Sequence, residues 1–158
     1  MVGLPGQSAE TLYSDLELAL ELEAEMVGIG SFIPHPDTSL GKEPGGTLEQ
    51  TCLMMALTRL ALPYALIPAT TALGSISPLG REAALRAGAN VVMPNLTLQK
   101  YRPDYRIYPN KICLGEEGAE SRGCLTRSIE AMGRFVADDP GHNLVWLNRS
   151  GSRQFILK

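Results

Sequence analysis

Residues 64–95, YALIPATTALGSISPLGREAALRAGANVVMPN, decide the fold of this 158-residue chain. Two apolar runs, residues 64–74 and 89–95, enclose a helical pattern. Ser77 and Pro78 supply an N-cap and a first-turn proline for that helix, and Gly88 supplies its C-terminal stop. Short strands that are apolar on both faces and separated by an amphipathic helix are typical of a parallel sheet.

The same alternation extends in both directions from this unit. Residues 1–6 end a buried strand, and residues 25–36, EMVGIGSFIPHP, form another β-rich apolar run. We expect the helices to be one behind the N-cap Ser8, one from the capping box Thr47-Leu-Glu-Gln50 to about Leu62, and one over residues 125–135.

These elements predict an α/β fold, specifically a partial (β/α) TIM-type barrel. About three complete strands and one stub are present, whereas a closed barrel needs eight strands and typically ~250 residues. We therefore expect the last three to four βα units of a barrel plus a C-terminal helix. Residues 1–137 would form the second half of the barrel, and residues 138–158 a poorly matching and disordered tail.

The composition limits which classes of molecule the chain is expected to bind. With 44% hydrophobic residues, 20% charged residues and a net charge of −3, the chain fits a globular protein and favours neither nucleic acid nor an anionic membrane. No apolar stretch approaches the ~20 residues of a membrane span. The three cysteines are an odd number and are spread over the chain, which disfavours a disulfide framework. These features predict a cytoplasmic protein.

Residues able to carry chemistry follow the expected strands, where barrel enzymes place their reactive groups. The adjacent hydroxyls of Thr70 and Thr71 could bind a carboxylate or another small polar ligand, or could equally satisfy loop backbone groups. Met26 and Met93 are typical of core filler. His35 lies between prolines with no metal-ligand spacing around it, so we expect it to orient its loop.

Three tyrosines in YRPDYRIYP, residues 101–109, have helical spacing. Tyr101, Tyr105 and Tyr108 would share one helical face, covering the barrel or pointing into its cavity. Because the chain lacks the common nucleotide-binding, triad and zinc motifs, the residues alone support only a partial barrel with a small-molecule site.

Several long phrases carry a family resemblance. MVGLPGQSAETL, GIGSFIPHPDT, IPATTALG, RAGANVVMPN and YRIYPNKIC, in this order and spacing, closely resemble the radical S-adenosylmethionine maturases of FeFe-hydrogenase, HydE. The resemblance covers residues 1–134. Biotin synthase and methylornithine synthase share the barrel, and an enzyme of that type acting on an amino acid is the alternative.

The resemblance implies a radical reaction in the complete protein. In the family, a 4Fe-4S cluster held by C-x-x-x-C-x-x-C reduces S-adenosylmethionine to a 5′-deoxyadenosyl radical. That radical acts on a small iron complex or cysteine-derived substrate, and other hydrogenase maturases complete the active-site cluster. A closed barrel would exclude water from the intermediate.

This chain departs from the family because it contains no C-x-x-x-C-x-x-C. We therefore expect it to bind neither cofactor tightly, to be inactive alone, and to need a missing N-terminal half-barrel as partner. Whether the chain is an enzyme by itself is left open. A non-catalytic fragment without an independent fold is a further alternative, since half a barrel would expose sheet edges.

The resemblance also implies roles for individual residues. The substrate-binding residues that it implies, on one side of the cavity, are Thr70, Thr71, Met93, Tyr105 and Tyr108. On the cofactor side it implies Met26 and the loop residues Phe32, Ile33 and Pro34, which would lie near the adenine.

CLGEEGAESRGC, residues 113–124, resembles an accessory cluster site of some family members. Cys113 and Cys124 match the first and last of three cysteines, and Ser121 stands at the middle position. Thiolates suit iron–sulfur ligation, whereas a serine hydroxyl is seldom deprotonated. Cys113 and Cys124 are therefore interpreted as the remnant of an optional metal site.

Overall fold

The computed structural model describes residues 1–105, 107–112 and 118–149. Helices and short strands alternate along these residues. The elements are α1 (Ala9–Glu21), α2 (Leu48–Ala61), β1 (Pro68–Ala69), α3 (Thr71–Ile76), α4 (Gly80–Arg86), β2 (Val91–Val92), a 3-10 helix (Gln99–Tyr105), α5 (Gly118–Ala131) and α6 (Leu144–Arg149).

The extended segments all pair in parallel. β1 and β2 pair in the register Pro68 to Val91 and Ala69 to Val92. Isolated parallel bridges join Val2 to Ser31 and Met26 to Leu66. Four segments, around residues 2, 26–31, 66–69 and 91–92, therefore lie side by side in chain order. The predicted α/β class is confirmed.

Two of the predicted helix starts are found where the sequence placed them. The Ser8 hydroxyl oxygen accepts a hydrogen bond from the Thr11 backbone N–H at 3.3 Å and begins α1. Thr47 and Gln50 form a reciprocal capping box at the start of α2. Each cap satisfies amide groups that have no partner inside the helix, which fixes the first turn.

The predicted N-cap at Ser77 is wrong. Residues 71–76 form the separate helix α3, and Ser77 is its C-cap. The Ser77 carbonyl then accepts from the Gly80 N–H at 2.9 Å, and α4 begins behind Leu79. Gly88 does end the following turn, at φ 123°, a conformation that favours glycine.

Two further boundaries differ from the sequence expectation. The helix predicted over residues 125–135 begins earlier and ends earlier, as α5. The tyrosines do not share one helical face: Tyr101 and Tyr105 lie in the 3-10 helix, and Tyr108 lies beyond its end. Pro103 lies inside this 3-10 helix, and because proline lacks an amide donor it disfavours a regular α-helix there.

The hydrophobic core lies on one face of the parallel segments. Ile29, Ile67 and Ala69 point towards the helices and pack in one cluster with Met55 and Leu73. Fully burying an isoleucine, leucine or methionine side chain stabilises a fold by about 1.5–3 kcal/mol relative to leaving it exposed. The helix-covered face therefore carries the buried hydrophobic cluster that stabilises the fold.

The segment after residue 138 contacts the amino-terminal ends of the parallel segments. The buried side chain of Asn143 donates to the carbonyls of Glu25 and Tyr64, both at 2.9 Å. Its Oδ1 accepts from the backbone N–H groups of Val145 and Trp146, which caps α6. One amide side chain thus joins the C-terminal helix to two neighbouring segments of the sheet.

Candidate functional site

A row of residues crosses the face of the sheet opposite the core. Continuing the bridge between Met26 and Leu66 by four residues places Gly30 beside Thr70. Continuing the β1–β2 register by one residue places Met93 on the other side of Thr70. A Cβ on Gly30 would lie 3.6 Å from the Thr70 hydroxyl oxygen, which confirms that Gly30 and Thr70 share this face.

Thr70 is the central residue of the row. It lies at the carboxyl end of β1 and begins α3, but its side chain makes no capping hydrogen bond. Its hydroxyl oxygen is buried and has no hydrogen-bond partner among the described residues. Buried polar atoms are nearly always hydrogen-bonded, because leaving one unpaired costs about 1–3 kcal/mol. The hydroxyl is therefore available to a group that the described residues do not supply.

Thr71 is joined to Tyr108, although 37 positions separate them in the sequence. The Thr71 hydroxyl and the Tyr108 hydroxyl lie 3.2 Å apart, and either can donate. The Lys111 ammonium lies 5.8 Å from the centre of the Tyr108 ring and donates to the Tyr105 carbonyl at 2.7 Å. The two hydroxyls thus bond to each other at the residue that follows Thr70 in the chain, and the Lys111 cation lies beside the Tyr108 ring.

Two contacts hold the segment that carries Tyr108 against α3. The Ser75 hydroxyl donates to the Thr71 carbonyl at 2.9 Å and accepts from the Ile112 N–H at 3.2 Å. Gly74 leaves room for the Ile112 side chain, whose Cδ1 occupies the space that a Cβ on Gly74 would need. Ser75 and Gly74 therefore position Tyr108 relative to Thr71.

Three other expected substrate and cofactor residues are more exposed to solvent. Met26 and Met93 are 52% and 55% exposed on the open face, so neither is core filler within this chain. Tyr105 is also 56% exposed at the end of the 3-10 helix. The structure brings Thr71 and Tyr108 into contact and places Thr70 next to them in the chain, and Met93 joins this group through the sheet register alone.

Phe32, Ile33 and Pro34 are half-buried in the loop that follows the second parallel segment. The Phe32 N–H donates to the Val2 carbonyl at 2.8 Å, and its carbonyl accepts from the Gly46 N–H at 2.9 Å. His35 orients the same loop through its carbonyl, which accepts from the Thr38 N–H and hydroxyl. These backbone contacts fix the loop next to the strand ends.

Only one of the two expected metal residues lies within the described part of the chain. Cys113 lies outside the described residues, and Cys124 is an exposed free thiol on α5. Cys52 is a half-buried free thiol on α2, where burial and the neighbouring Glu49 carboxylate raise its pKa. Within residues 1–105, 107–112 and 118–149, no group of three potential ligands could hold a metal ion.

Sequence reasoning missed Gly30, Gly74 and Ser75 as contributors to this site. Their roles depend on neighbours 37 to 40 positions away. The glycines of GIGS could have suggested a close approach to a ligand, since glycine within a strand often marks one.

No helix in the described part of the chain is long and apolar enough to cross a membrane. No protein-family profile matches the chain. The chain is 51% identical over 141 residues to the [FeFe] hydrogenase maturase subunit HydE of Thermotoga maritima. The match covers 89% of this chain and 40% of that protein, so the chain spans less than half of its relative's length. The resemblance drawn from the sequence phrases is thereby confirmed over most of the chain.

Proposed function

We propose that this chain, a homologue of the HydE maturase over most of its length, forms the substrate-binding part of a radical S-adenosylmethionine enzyme that matures the FeFe-hydrogenase active-site cluster. The observation that carries the proposal is the group of three hydroxyls on Thr70, Thr71 and Tyr108. One of these hydroxyls is buried without a described partner, and the other two bond to each other.

The finer fold in this proposal is a partial (β/α) barrel. Four parallel segments are half of the eight that a closed barrel needs. The face that carries Met26, Thr70 and Met93 would be the inner face of that barrel. Its exposure within this chain supports the idea that further strands belong over it.

The residues of this chain do not fit the radical-generating cluster. The 158 residues contain three cysteines, Cys52, Cys113 and Cys124, and none of the spacings between them matches C-x-x-x-C-x-x-C. Thiolates are the ligands such clusters require. We therefore assign no step through a cluster to this chain, and its binding of S-adenosylmethionine would rest on apolar contacts at Met26, Phe32, Ile33 and Pro34.

The residues on the substrate side of the cavity would bind and orient the substrate, and would not themselves react with it. Thr70, Thr71 and Tyr108 offer hydroxyl donors, and Met93 and Tyr105 offer apolar surface beside them. A small iron complex or a cysteine-derived molecule has polar groups that such donors can hold. In this proposal other hydrogenase maturases receive the product, in a cytoplasmic setting where Cys52 and Cys124 stay reduced.

The experiment is a complementation assay under anaerobic conditions. The chain, reconstituted with iron and sulfide, is incubated with S-adenosylmethionine, and 5′-deoxyadenosine is measured. We expect none from the chain alone. Adding the portion of the Thermotoga maritima relative that lies outside the match should restore cleavage, because that portion would supply the missing barrel strands.

That portion incubated without the chain is the control, and it should yield clearly less 5′-deoxyadenosine than the mixture. Cleavage by the chain alone would refute the assignment of radical generation to a partner. Failure of the mixture to exceed the control, with both polypeptides folded, would refute the half-barrel proposal.

A further inference from the structure

We infer that the outer surface of α1 and α2 is a docking site for a basic amphipathic helix of another protein. The surface combines three exposed leucines of α2, Leu53, Leu57 and Leu60, with the exposed glutamates of α1. It lies on the helix side of the sheet, away from the row around Thr70. The inference therefore goes beyond the proposed function and does not depend on it.

The three leucines point away from the core. Each of them stands two positions after a residue of α2 that is at most 2% exposed; these buried residues are Thr51, Met55 and Thr58. Two positions correspond to about 200° of rotation on an α-helix. Leu53, Leu57 and Leu60 are 61%, 40% and 78% exposed, and their spacing of four and three residues places them in one stripe.

The outer side of α2 lacks the charges that a solvent-facing helix normally carries. The helix contains two charged residues, Glu49 and Arg59. The Arg59 guanidinium donates to the carbonyls of Gly88 and Pro63 at 2.9 and 2.8 Å, so it is bound to the fold. A helix that is apolar on all sides is usually buried on all sides. The described residues leave the leucine stripe exposed, which indicates a further apolar partner for this side.

The neighbouring helix α1 borders the stripe. Side chains of both helices, including Leu16 of α1 and Met54 of α2, line one cavity of about 260 Å³ between the helices and the sheet. Packed helices lie about 8–10 Å apart, axis to axis. The outer face of α1 is therefore within reach of any helix that packs on the leucines of α2.

This part of the chain is strongly acidic. Residues 1–61 hold nine acidic and two basic residues, so their net charge is −7, and residues 62–158 account for +4 of the chain's total of −3. No lysine or arginine occurs before Lys42. Glu10, Glu17 and Glu21 are exposed on α1, and their spacing of seven and four residues places them on one side of that helix.

The charge selects among the molecules that could cover the leucines. A symmetric contact with a second copy would bring the same acidic surface together twice, and like charges disfavour it. An anionic membrane would be repelled for the same reason. A helix with a leucine-rich side and flanking lysines or arginines matches both the apolar stripe and the acidic residues beside it.

The occupant is a helix and not an extended strand because of its backbone. The backbone groups of α1 and α2 are paired within each helix, so their outer surface offers no row of donors and acceptors to a strand. A helix satisfies its own backbone and contributes side chains alone. An interface of this size, below about 1,200 Å², is typical of transient complexes, and we expect a Kd of about 1–100 μM.

The test uses three synthetic, fluorescein-labelled peptides and the unmodified chain. The first peptide has leucines along one helical side and lysines elsewhere. The second has glutamate in place of each lysine, and the third has the composition of the first with the leucines spread around the helix. Fluorescence anisotropy should show saturable binding of the first peptide and at least about tenfold weaker binding of the other two. Raising the salt concentration from about 0.05 M to 0.5 M should weaken binding of the first peptide.

Variants locate the binding surface on the chain. Leu53→Ser and Leu60→Ser should each weaken binding of the lysine peptide by about fivefold or more, the usual effect of truncating a central contact. Leu96→Ser is the matched control, because Leu96 is 75% exposed beyond the end of β2. Glu21→Lys should weaken binding by about threefold or more, whereas Asp104→Lys, on the 3-10 helix, should stay within about twofold.

A stability measurement keeps folding separate from binding. Leu53→Ser and Leu60→Ser should leave the melting temperature within about 2 °C of the unmodified chain, since both leucines are exposed. A marked fall would show that these leucines already pack within the chain, and it would overturn the inference.

Three further outcomes would also overturn it. The first is equal binding of the lysine and glutamate peptides, or no saturable binding of the lysine peptide. The second is a loss for Leu96→Ser as large as the loss for Leu60→Ser. The third is a dimer of the unmodified chain, seen by sedimentation velocity, that Leu60→Ser dissociates, because a second copy would then be the occupant.

Discussion

The two faces of the parallel sheet differ in what they contact. The face that carries Ile29, Ile67 and Ala69 is covered by α-helices and contains the core. The opposite face carries Met26 and Met93, each more than half exposed, together with the Thr70 hydroxyl, which has no partner in the described part of the chain. The buried core and the candidate binding groups therefore lie on opposite faces of the sheet: one face stabilises the chain, and the other carries the candidate residues.

The largest expected effect compares two methionines. Met55 is fully buried under the covered face, whereas Met93 is 55% exposed on the open face. Met55→Ala should lower the free energy of unfolding by about 2–5 kcal/mol, because it leaves a cavity in a packed core. Met93→Ala should change it by no more than about 0.5 kcal/mol. Denaturant unfolding of both variants measures the difference, and similar losses would mean that the open face is packed in solution.

Two glycines provide a smaller contrast of the same kind. Gly80→Ala should destabilise the chain by about 1–3 kcal/mol, since its Cβ would overlap the Leu73 carbonyl and force α3 and α4 apart. Gly28→Ala adds its methyl to open space among the described atoms and should be neutral or stabilise by about 0.4–1 kcal/mol. Thermal unfolding followed by circular dichroism tests both, and a loss for Gly28→Ala would indicate that something already covers it.

Two threonines should respond to valine with opposite signs. On the covered face, the Thr51 hydroxyl bonds to the Ser31 hydroxyl at 2.7 Å, and Thr51→Val would leave the buried Ser31 hydroxyl without this partner. We expect a loss of about 1–2 kcal/mol in the free energy of unfolding. On the open face, Thr70→Val removes a hydroxyl that has no described partner and should not destabilise the chain. Destabilisation by both variants would indicate that Thr70 has a structural partner.

The smallest expected effect concerns thiol reactivity. Burial, with help from Glu49, raises the pKa of Cys52, so less of its reactive thiolate is present near neutral pH. Cys124 is exposed on α5. Brief alkylation with iodoacetamide at pH 7.5, followed by peptide mapping, should modify Cys124 roughly several-fold faster than Cys52. The reason is that Cys124 is exposed, whereas Cys52 is half-buried and a smaller fraction of it is thiolate. Equal rates in the folded chain, with equal rates also in denaturant as the reference, would contradict the packing of α2.

Local signals predicted the local structure well. The cap at Ser8, the capping box at Thr47 and Gln50, and the stop at Gly88 depend on residues within one turn, and all three are found. The helix start at Ser77 was wrong because a competing helix, α3, forms just before it and uses Ser77 as its end. The tyrosine spacing was misleading because the 3-10 helix ends before Tyr108.

The sequence by itself determined the α/β class, the helix starts near their caps, and the candidate residues Thr70 and Thr71. Each of these depends on neighbours close along the chain, where spacing and side-chain chemistry are decisive. Only the tertiary structure decided that Gly30, Thr70 and Met93 form one row, and that Tyr108 bonds to Thr71 across 37 positions. Register between parallel strands is fixed by packing and by pairing across the sheet, which no local pattern specifies.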